Sequence, residues 1–231
     1  KIAYLCNFAY PYWEGVWNNV YYTSKYMIKR GHEVHIFCSN LNPVGANFSD
    51  YELFEGMHIH RFPVKGKIGN YALFFKFEKD LIKFDPDIIH THGYRTPYST
   101  KVIGIAKKIN KPCILTTHAP FERERGAFLN LLTKLYDIFY GKRLLNSYSK
   151  VIAITKWEIP YLLGIGCKKD RLIYIPNGVN EKLFIKIKDR ACQKVLYLGR
   201  ISKIKNLETI LDLAKMLPQI PFLIFGPIEK G

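Results

Sequence analysis

Two short stretches of the sequence carry side chains that could bind an anionic or hydroxylated ligand. Within Gly199–Leu207, Arg200 offers a rigid guanidinium fork for phosphate oxygens, and Lys205 adds a compact positive charge. The N-terminus of a following helix would contribute free N–H groups that favour anions. The second stretch ends at His118, whose imidazole, at the end of a strand, could donate a hydrogen bond to a substrate hydroxyl or phosphate. A structural role as a cap of its loop is the alternative interpretation for His118.

Two His-x-His pairs are the other candidates for chemistry. His58 and His60 form one pair, and His90 and His92 form the other. In a strand, each pair would place both imidazoles on one face. Zinc needs further ligands, and neither pair has a cysteine or carboxylate at a suitable spacing. We therefore predict no metal, with His90 packed in a sheet and His92 at a strand end that lines a cleft.

Several common binding motifs are absent from the sequence. The loop Asn7–Gly15 has one glycine where a dinucleotide site needs GxGxxG. The P-loop pattern and the nucleophile elbow GxSxG do not occur either. A nicotinamide-dependent oxidoreductase, a P-loop nucleotide hydrolase and an elbow-type serine hydrolase are therefore disfavoured.

The chain is strongly basic. Its 231 residues include 35 lysines and arginines against 19 aspartates and glutamates, a formal charge of +16, and 48% of residues are apolar. This composition is globular, and the charge is compatible with nucleic acid, an anionic membrane surface, a phosphorylated substrate, or simply a lysine-rich genome. Because the lysines are scattered and no nucleic-acid-binding signature occurs, we do not predict a nucleic-acid partner.

Two further patterns bear on the compartment. No apolar run reaches the roughly 18–20 residues of a membrane-spanning helix, and Lys1–Cys6 does not resemble a signal peptide. The five cysteines lack CxxC spacing and mostly lie in apolar runs, as buried thiols do in a reducing compartment. We expect a cytoplasmic protein.

Strand-like and helix-like segments alternate along the chain, which indicates a parallel sheet covered on both faces. The predicted strands are Ile2–Cys6, Glu33–Ser39, Met57–Phe62, Ile88–Thr91, Cys113–Thr117, Val151–Thr155, Leu172–Ile175, Val195–Leu198 and Phe222–Phe225. The predicted helices are the segment up to Arg30, Tyr71–Phe84, Tyr98–Ile109, Ala127–Leu145, Lys156–Leu163 and Leu207–Leu217. The fold class is doubly wound, Rossmann-like α/β, in which ligands bind beyond the carboxyl ends of the strands.

The alternation stops at a polar, basic stretch, Lys186–Gln193, and then resumes. We therefore predict a whole α/β domain in residues 1–187. Residues 188–231 would form the first βαβ unit of a second domain, since so short a segment cannot close a core of typical size.

One predicted helix, Ala127–Leu145, has two interpretations. Its apolar stripe, flanked by Lys134, Lys142 and Arg143, comprises Phe128, Leu131, Leu132, Leu135, Ile138 and Phe139. A stripe of this spacing normally packs on its own sheet, which is the favoured prediction. Contact with a membrane surface is the alternative.

The order of several short motifs is the most informative feature of the chain. They are Pro11–Gly15 before the first helix, Arg30–Val34 at its end, Asp87–His92, Thr116–His118, Ile175–Asn180 with Phe184, and Gly199-Arg200 with Lys205. In this order they resemble the GT-B glycosyltransferases of family 4, the retaining group that uses nucleotide-sugar donors. The resemblance covers essentially the whole chain.

The resemblance implies which domain binds which substrate. In such enzymes the second domain binds the donor, so Arg200 and Lys205 would clamp the donor diphosphate and stabilise the leaving nucleoside diphosphate. Gly15 would let backbone N–H groups approach the same phosphate, and His118, the catalytic candidate, would contact the transferred sugar. The candidates for the acceptor side, in the first domain, are Tyr10, Trp13, Tyr94 and Arg95. No metal and no cofactor is implied. The acceptor would be a hydroxyl, which in related enzymes is often lipid-linked at the inner membrane face.

Two departures from the family pattern affect these expectations. Glu14 stands where family members usually have the first of two glycines, so a carboxylate lies near the expected anion. The acidic motif Glu-x7-Glu, which contacts the donor sugar and ribose, belongs beyond Gly231, so we expect the chain as given not to complete catalysis. A sugar epimerase on the same scaffold and a non-catalytic basic binding protein are the alternative functions.

Overall fold

A computed structural model describes residues 1–41, 48–68, 71–118, 127–180, 194–202 and 205–228. The chain divides into two compact units, Lys1–Gly178 and Val179–Gly231. The domain boundary predicted between residues 187 and 188 lies in the range 181–193, outside the described residues.

An eight-stranded sheet forms the centre of the first unit. The strands of this unit are β1 Ile2–Leu5, β2 Val34–Ser39, β3 Tyr51–Phe54, β4 Met57–Phe62, β5 Val64–Ile68, β6 Tyr71–Phe75, β7 Ile88–His92, β8 Cys113–Thr116, β9 Lys150–Ala153 and β10 Leu172–Tyr174. The sheet order is β10-β9-β8-β7-β1-β2-β4-β3, and every pair is parallel except β3 with β4. The strand order therefore reverses between β1 and β7, which is where doubly wound sheets bind ligands.

Helices cover both faces of this sheet. They are α1 Gly15–Lys29, α2 Glu78–Phe84, α3 Pro97–Lys108, α4 Ala127–Tyr136, α5 Lys142–Leu145 and α6 Glu158–Ile165, with a π-helical turn, Asp137–Gly141, between α4 and α5. Ala3 and Leu5 of β1 belong to one buried cluster, and Tyr4 and Cys6 belong to another. Alternate residues of the strand thus face two layers of core, which confirms the doubly wound class.

Residues 71–84 are not one helix, as the sequence predicts, but a strand followed by a short helix. Tyr71–Phe75 pairs antiparallel with Val64–Ile68 as a hairpin, and only Glu78–Phe84 is helical. The run YALFF is continuously apolar and rich in aromatic residues, which suits a strand as well as a helix. The backbone N–H of Ala72 donates to Oδ1 of the buried Asn7 at 3.0 Å, so the strand is tied to the loop after β1.

The second unit contains a parallel pair of strands, β11 Val195–Leu198 and β12 Phe222–Phe225, connected by helix α7 Leu207–Met216. The loops that follow the two strands approach each other closely. At Gly226, where φ is +154°, a Cβ would lie 1.7 Å from the carbonyl oxygen of Gly199. Only glycine fits there, because any side chain would collide with the backbone that leads into Arg200.

Candidate functional site

The candidate site lies where the strand order reverses. Leu5 of β1 pairs with Thr91 of β7, so the loops after these parallel strands leave the same edge of the sheet. β8 continues this edge, because His92 pairs with Thr116. His92 therefore ends its strand beside the segment that leads into His118, and the structure brings the two imidazoles together.

His92 and His118 form a hydrogen-bonded pair, with Nδ1 of His92 2.8 Å from Nε2 of His118. His92 is fully buried, and its ring stacks on His90 at a centroid distance of 4.4 Å and lies 5.9 Å from Tyr4. The prediction that His92 lines a cleft is wrong, because neighbouring rings enclose it. The prediction that His90 packs within the sheet is confirmed, and its Nε2 lies 2.8 Å from Oγ1 of Thr116.

Burial keeps these imidazoles uncharged. It lowers the pKa of His118 to about 4 and, together with the charge of His118, that of His90 to about 3. Burial also lowers the pKa of His92 well below its ordinary value. At neutral pH each ring carries one proton and can donate one hydrogen bond and accept one. Such a site suits a sugar hydroxyl better than a phosphate, since it supplies no positive charge.

A buried carboxylate fixes the residue before His118. Glu158, at the start of α6, accepts hydrogen bonds from Oγ1 of Thr117 and from the backbone N–H groups of Ile154 at 3.1 Å and Thr155 at 2.9 Å. His118 itself has φ of +56°, a left-handed conformation that persists in a non-glycine residue only where its surroundings enforce it. Sequence analysis missed Glu158. The available signal is Thr155-x-x-Glu158, a capping box before an apolar helix.

Tyr94 and Arg95, two of the predicted acceptor-side residues, both bind Asp137 at the start of the π-helical turn. The hydroxyl of Tyr94 donates to Oδ1 of Asp137 at 2.9 Å, and Nε of Arg95 donates to the same oxygen at 3.0 Å. Tyr94 is only 3% exposed. At the other end of the turn, a Cβ on Gly141 would lie 2.4 Å from Ile165 and 2.9 Å from the Tyr94 hydroxyl. These contacts anchor the helix beside the loop after β7.

The other two acceptor-side candidates, Tyr10 and Trp13, lie on the loop between β1 and α1. Trp13 is 48% exposed and packs edge-on against Tyr21 at a centroid distance of 5.0 Å, so much of its ring is accessible. Tyr10 stacks on Phe54 at 3.9 Å, and its carbonyl accepts a hydrogen bond from Nη2 of Arg61 at 2.6 Å. Arg61, buried within β4, thus fixes this loop; sequence analysis missed it, because one arginine in an alternating strand gives no signal.

Glu14 caps the first helix. Its Oε1 accepts a hydrogen bond from the backbone N–H of Trp17 at 3.0 Å, and its backbone is extended, as is usual at an N-cap. The carboxylate therefore lies at the N-terminus of α1, where Gly15 is predicted to admit a phosphate. An anion bound there would compete with Glu14. Among the described residues, nothing lies within 4 Å of a Cβ placed on Gly15.

Arg200 and Lys205 lie on one loop of the second unit, between β11 and α7. Both are exposed. The Tyr197 hydroxyl donates to the carbonyl of Arg200 at 2.8 Å, and the backbone N–H of Lys205 donates to the carbonyl of Ser202 at 3.0 Å. Contacts to the backbone thus shape the loop. The two cationic residues follow the carboxyl end of a parallel strand, where their sequence position predicts them.

The apolar stripe of α4 and the π-helical turn faces outward. Ile138 is 63% and Phe139 is 71% exposed, and the other exposed apolar residues of this face are Leu131, Leu132, Leu135 and Tyr140. The prediction that the stripe packs on its own sheet is wrong for these residues. The helix packs instead through Tyr136, Gly141 and Leu145, because the π-helical turn changes which residues face the core. The side chain of Phe128 lies outside the described residues.

Two kinds of site are absent from the described residues. In the described ranges, no group of three or more histidine, cysteine, aspartate or glutamate side chains is arranged to hold a metal ion. In the same part of the chain, no helix combines the length and the apolar character needed to cross a membrane.

Comparison with known proteins agrees with this architecture. Residues 13–183 match the model of Glycosyltransferase Family 4. The crystal structure of Anabaena Alr3699/HepE in complex with UDP and glucose superposes with a TM-score of 0.62 at 15% identity, covering 99% of this chain and 61% of that one. The crystal structure of HepE in complex with UDP-glucose superposes with a TM-score of 0.61 at 14% identity, covering 96% of this chain and 59% of that one. CalG4, the calicheamicin glycosyltransferase, superposes with a TM-score of 0.52 at 13% identity, covering 99% of this chain and 66% of that one.

The sequence comparison is more limited, since no curated protein matches the chain. The chain spans 61% of the length of the HepE chain bound to UDP and glucose. The family model nevertheless matches well over half of the chain, including the loop of Glu14, the histidine pair and Glu158. The resemblance drawn from the sequence motifs is confirmed: the chain belongs to Glycosyltransferase Family 4.

Proposed function

We propose that the protein is a retaining glycosyltransferase that moves a hexose-type sugar from a nucleoside diphosphate donor to a hydroxyl acceptor. The observation that carries this proposal is the uncharged, rigidly held His118 at the reversal point of the sheet, within the segment that matches the family. A neutral imidazole there suits contact with a hydroxyl of the transferred sugar. The HepE structures, which contain UDP or UDP-glucose, support a nucleotide sugar as donor.

The second unit would bind the diphosphate of the donor. Arg200 and Lys205 are exposed on a loop that ends at a helix N-terminus, so an anion in solvent can approach both side chains. When the bond to the sugar breaks, negative charge develops on the leaving nucleoside diphosphate, and the two cations would stabilise it. On this mechanism neither a metal ion nor a cofactor is needed.

Calorimetry of the full-length enzyme with UDP, GDP and ADP tests the proposal. We expect heat of binding with one of the three nucleotides and at least a tenfold weaker affinity in Arg200→Ala. Lys215→Ala, which removes an exposed positive charge in the last turn of α7, is the matched control and should bind as the wild type does. Absence of binding to all three nucleotides would exclude the proposal. Release of free or rearranged sugar without any acceptor would indicate an epimerase instead.

We also propose that the exposed apolar face of α4 and the π-helical turn contacts the inner face of the cytoplasmic membrane, where the acceptor is lipid-linked. Lys134, Lys142 and Arg143 lie on the same helical segment as the exposed Ile138 and Phe139. Apolar side chains flanked by cations are typical of helices that lie in an anionic membrane interface. The net charge of +16 acts in the same direction.

Sedimentation with lipid vesicles tests this contact. We expect the protein to bind vesicles containing phosphatidylglycerol, and pure phosphatidylcholine vesicles much less. A double variant, Ile138→Ser with Phe139→Ser, should lower the bound fraction about tenfold, because it replaces the two most exposed apolar side chains of this face. Met216→Ser, at an equally exposed position of α7, is the control. Equal binding by the double variant and the wild type would refute the contact.

A further inference from the structure

One nitrogen of the buried histidine pair has no partner. Nε2 of His92 is enclosed, and within the described ranges no hydrogen-bonding group reaches it. The other nitrogen of the same ring, Nδ1, faces Nε2 of His118 at 2.8 Å. The ring that donates this hydrogen bond therefore determines where the second proton of the pair lies.

Only two arrangements of protons are compatible with two neutral rings. If His118 donates from Nε2, then His92 must carry its own proton on Nε2, where a buried N–H is left without an acceptor. If His92 donates from Nδ1, its Nε2 is a bare lone pair and no N–H is left unpaired. Buried N–H groups without acceptors are rarer in folded proteins than buried acceptors without donors, because their loss of hydration is not repaid. The second arrangement is therefore favoured.

We propose that His92 is a positioning residue, which donates its Nδ1–H to Nε2 of His118 and so places the proton of His118 on Nδ1. His118 then presents an uncharged N–H donor on the side of its ring opposite to His92. The ligand of that donor, a hydroxyl of the transferred sugar, rests on the proposed function. The position of the proton does not, because it follows from the protein alone.

Hydrogen bonds to the backbone fix the positions of the two rings relative to each other. The Tyr98 hydroxyl donates to the carbonyl of His92 at 2.6 Å, and the backbone N–H of Gly93 donates to the carbonyl of Thr116 at 2.9 Å. Directly after β8, the backbone N–H of Thr117 donates to the carbonyl of Ile152 in β9 at 3.1 Å. Among the described residues, His90 stacks on His92, and the ring of Tyr4 packs against His92 at a tilt. The half-buried ring of His118 is thus fixed on the side that faces His92.

Nitrogen NMR of the 231-residue chain, labelled with 15N-histidine, tests the proton position directly. His118→Asn identifies the signals of His118. At pH 7.5 we expect the wild-type His118 to show a protonated Nδ1 and an unprotonated Nε2. The opposite tautomer in the wild type would overturn the proposal, and this measurement needs no activity and no variant of His92.

Variants of His92 separate positioning from mere packing. In His92→Asn an amide N–H takes the place of Nδ1–H, so the tautomer of His118 should persist. In His92→Leu no group donates a hydrogen bond to Nε2 of His118, so the Nε2–H form of His118 should appear. In the full-length enzyme, His92→Leu should lower kcat about tenfold with little change in KM for the donor, and His92→Asn should recover most of it. His90→Gln, whose amide can still reach Thr116, is the matched control and should retain the wild-type tautomer and kcat.

The two proposals fail in different ways. If His92→Leu lowers stability but leaves the His118 tautomer and the kcat of the folded protein unchanged, His92 only packs and the inference is wrong. If the wild-type enzyme transfers no sugar while its His118 shows the expected tautomer, the proposed function is wrong and the positioning role of His92 stands.

Discussion

The histidine site of the first unit and the cationic loop of the second unit are built in opposite ways. His92, Thr117 and Glu158 are buried, and their polar groups hold one another in place. Arg200 and Lys205 are exposed on a loop that backbone contacts shape. A neutral hydrogen-bond donor is weak unless it is held rigidly away from water, whereas full charges attract an anion through solvent and would be costly to bury before it arrives. Under the proposed function, the first site would contact the transferred sugar and the second would attract the diphosphate of the donor.

Acid should produce the largest difference between the two units, because it should destabilise the first unit selectively. All seven histidines lie at residue 118 or before it. The pKa of His118 is about 4 and that of His90 about 3 in the folded protein, against about 6.5 when unfolded. Between these values unfolding takes up protons, so the free energy of unfolding falls as the pH falls, by about 1.4 kcal/mol per pH unit for each histidine.

Urea unfolding from pH 7 to pH 4.5, followed by tryptophan fluorescence, measures this effect. Trp13, Trp17 and Trp157 all lie in the first unit, so the signal reports that unit alone. His90→Gln should reduce the number of protons taken up on unfolding by about one, and so lower the slope of the free energy of unfolding against pH. A stability that is independent of pH between 6.5 and 4.5 would show that the buried histidines can be charged without loss of the fold.

The second-largest effect should come from the buried carboxylate at the start of α6, with the exposed carboxylate at the start of α7 as its comparison. Glu158 is fully buried, and its removal in Glu158→Ala leaves Thr117 and the backbone N–H groups of Ile154 and Thr155 without their acceptor. We expect a loss of about 3 kcal/mol or more in the free energy of unfolding. Glu208→Ala removes an exposed first-turn glutamate of α7 and should cost no more than about 0.5 kcal/mol. Equal losses in denaturant unfolding would contradict the difference between the two regions.

Most of the central sheet could be predicted from the sequence, because most of its parallel strands are short apolar runs between turn signals and β4 (Met57–Phe62) alternates apolar and polar residues. Two other strands were harder to predict, one at the edge of the central sheet and one in the separate hairpin. β3 (Tyr51–Phe54) alternates polar and apolar residues next to a Glu55-Gly56 turn, and β6 (Tyr71–Phe75) is as compatible with a helix as with a strand. Only its pairing with β5 decides between the two. Pairing between two strands is not encoded in the local periodicity of either strand alone.

The site was predictable in its residue types but not in its geometry. His118 and Arg200 stand directly after apolar runs, so their place at the ends of strands follows from the sequence. The contact between His92 and His118 depends on the register of β7 with β8, which no short motif specifies. Likewise, local periodicity does not predict the π-helical turn, whose Asp137 accepts a hydrogen bond from Tyr94.

Salt provides a test of the cationic loop that should leave the histidine site unaffected. Because Arg200 is exposed, its attraction for a nucleoside diphosphate should weaken as ionic strength rises. We expect Arg200→Ala to weaken UDP binding by the full-length enzyme about tenfold, if UDP is the nucleotide bound, and Arg200→Lys by less, since the charge remains but the bidentate fork is lost. Calorimetry at 50 and 500 mM NaCl measures both effects. Affinity that is unchanged by salt and by both variants would exclude the loop from donor binding.

The smallest expected effect concerns Glu14, at the N-terminus of α1. Its carboxylate caps α1 through the N–H of Trp17 and stands where Gly15 is predicted to admit the donor phosphate. Glu14→Gln keeps an oxygen acceptor for the cap but removes the charge, so the stability should change little, whereas Glu14→Ala should cost about 1 kcal/mol. If the start of α1 faces the diphosphate, Glu14→Gln should strengthen nucleotide binding two- to fivefold, the range expected for one charge at a helix terminus. An unchanged affinity in calorimetry would place the diphosphate away from α1 and would leave Arg200 and Lys205 as the anion site.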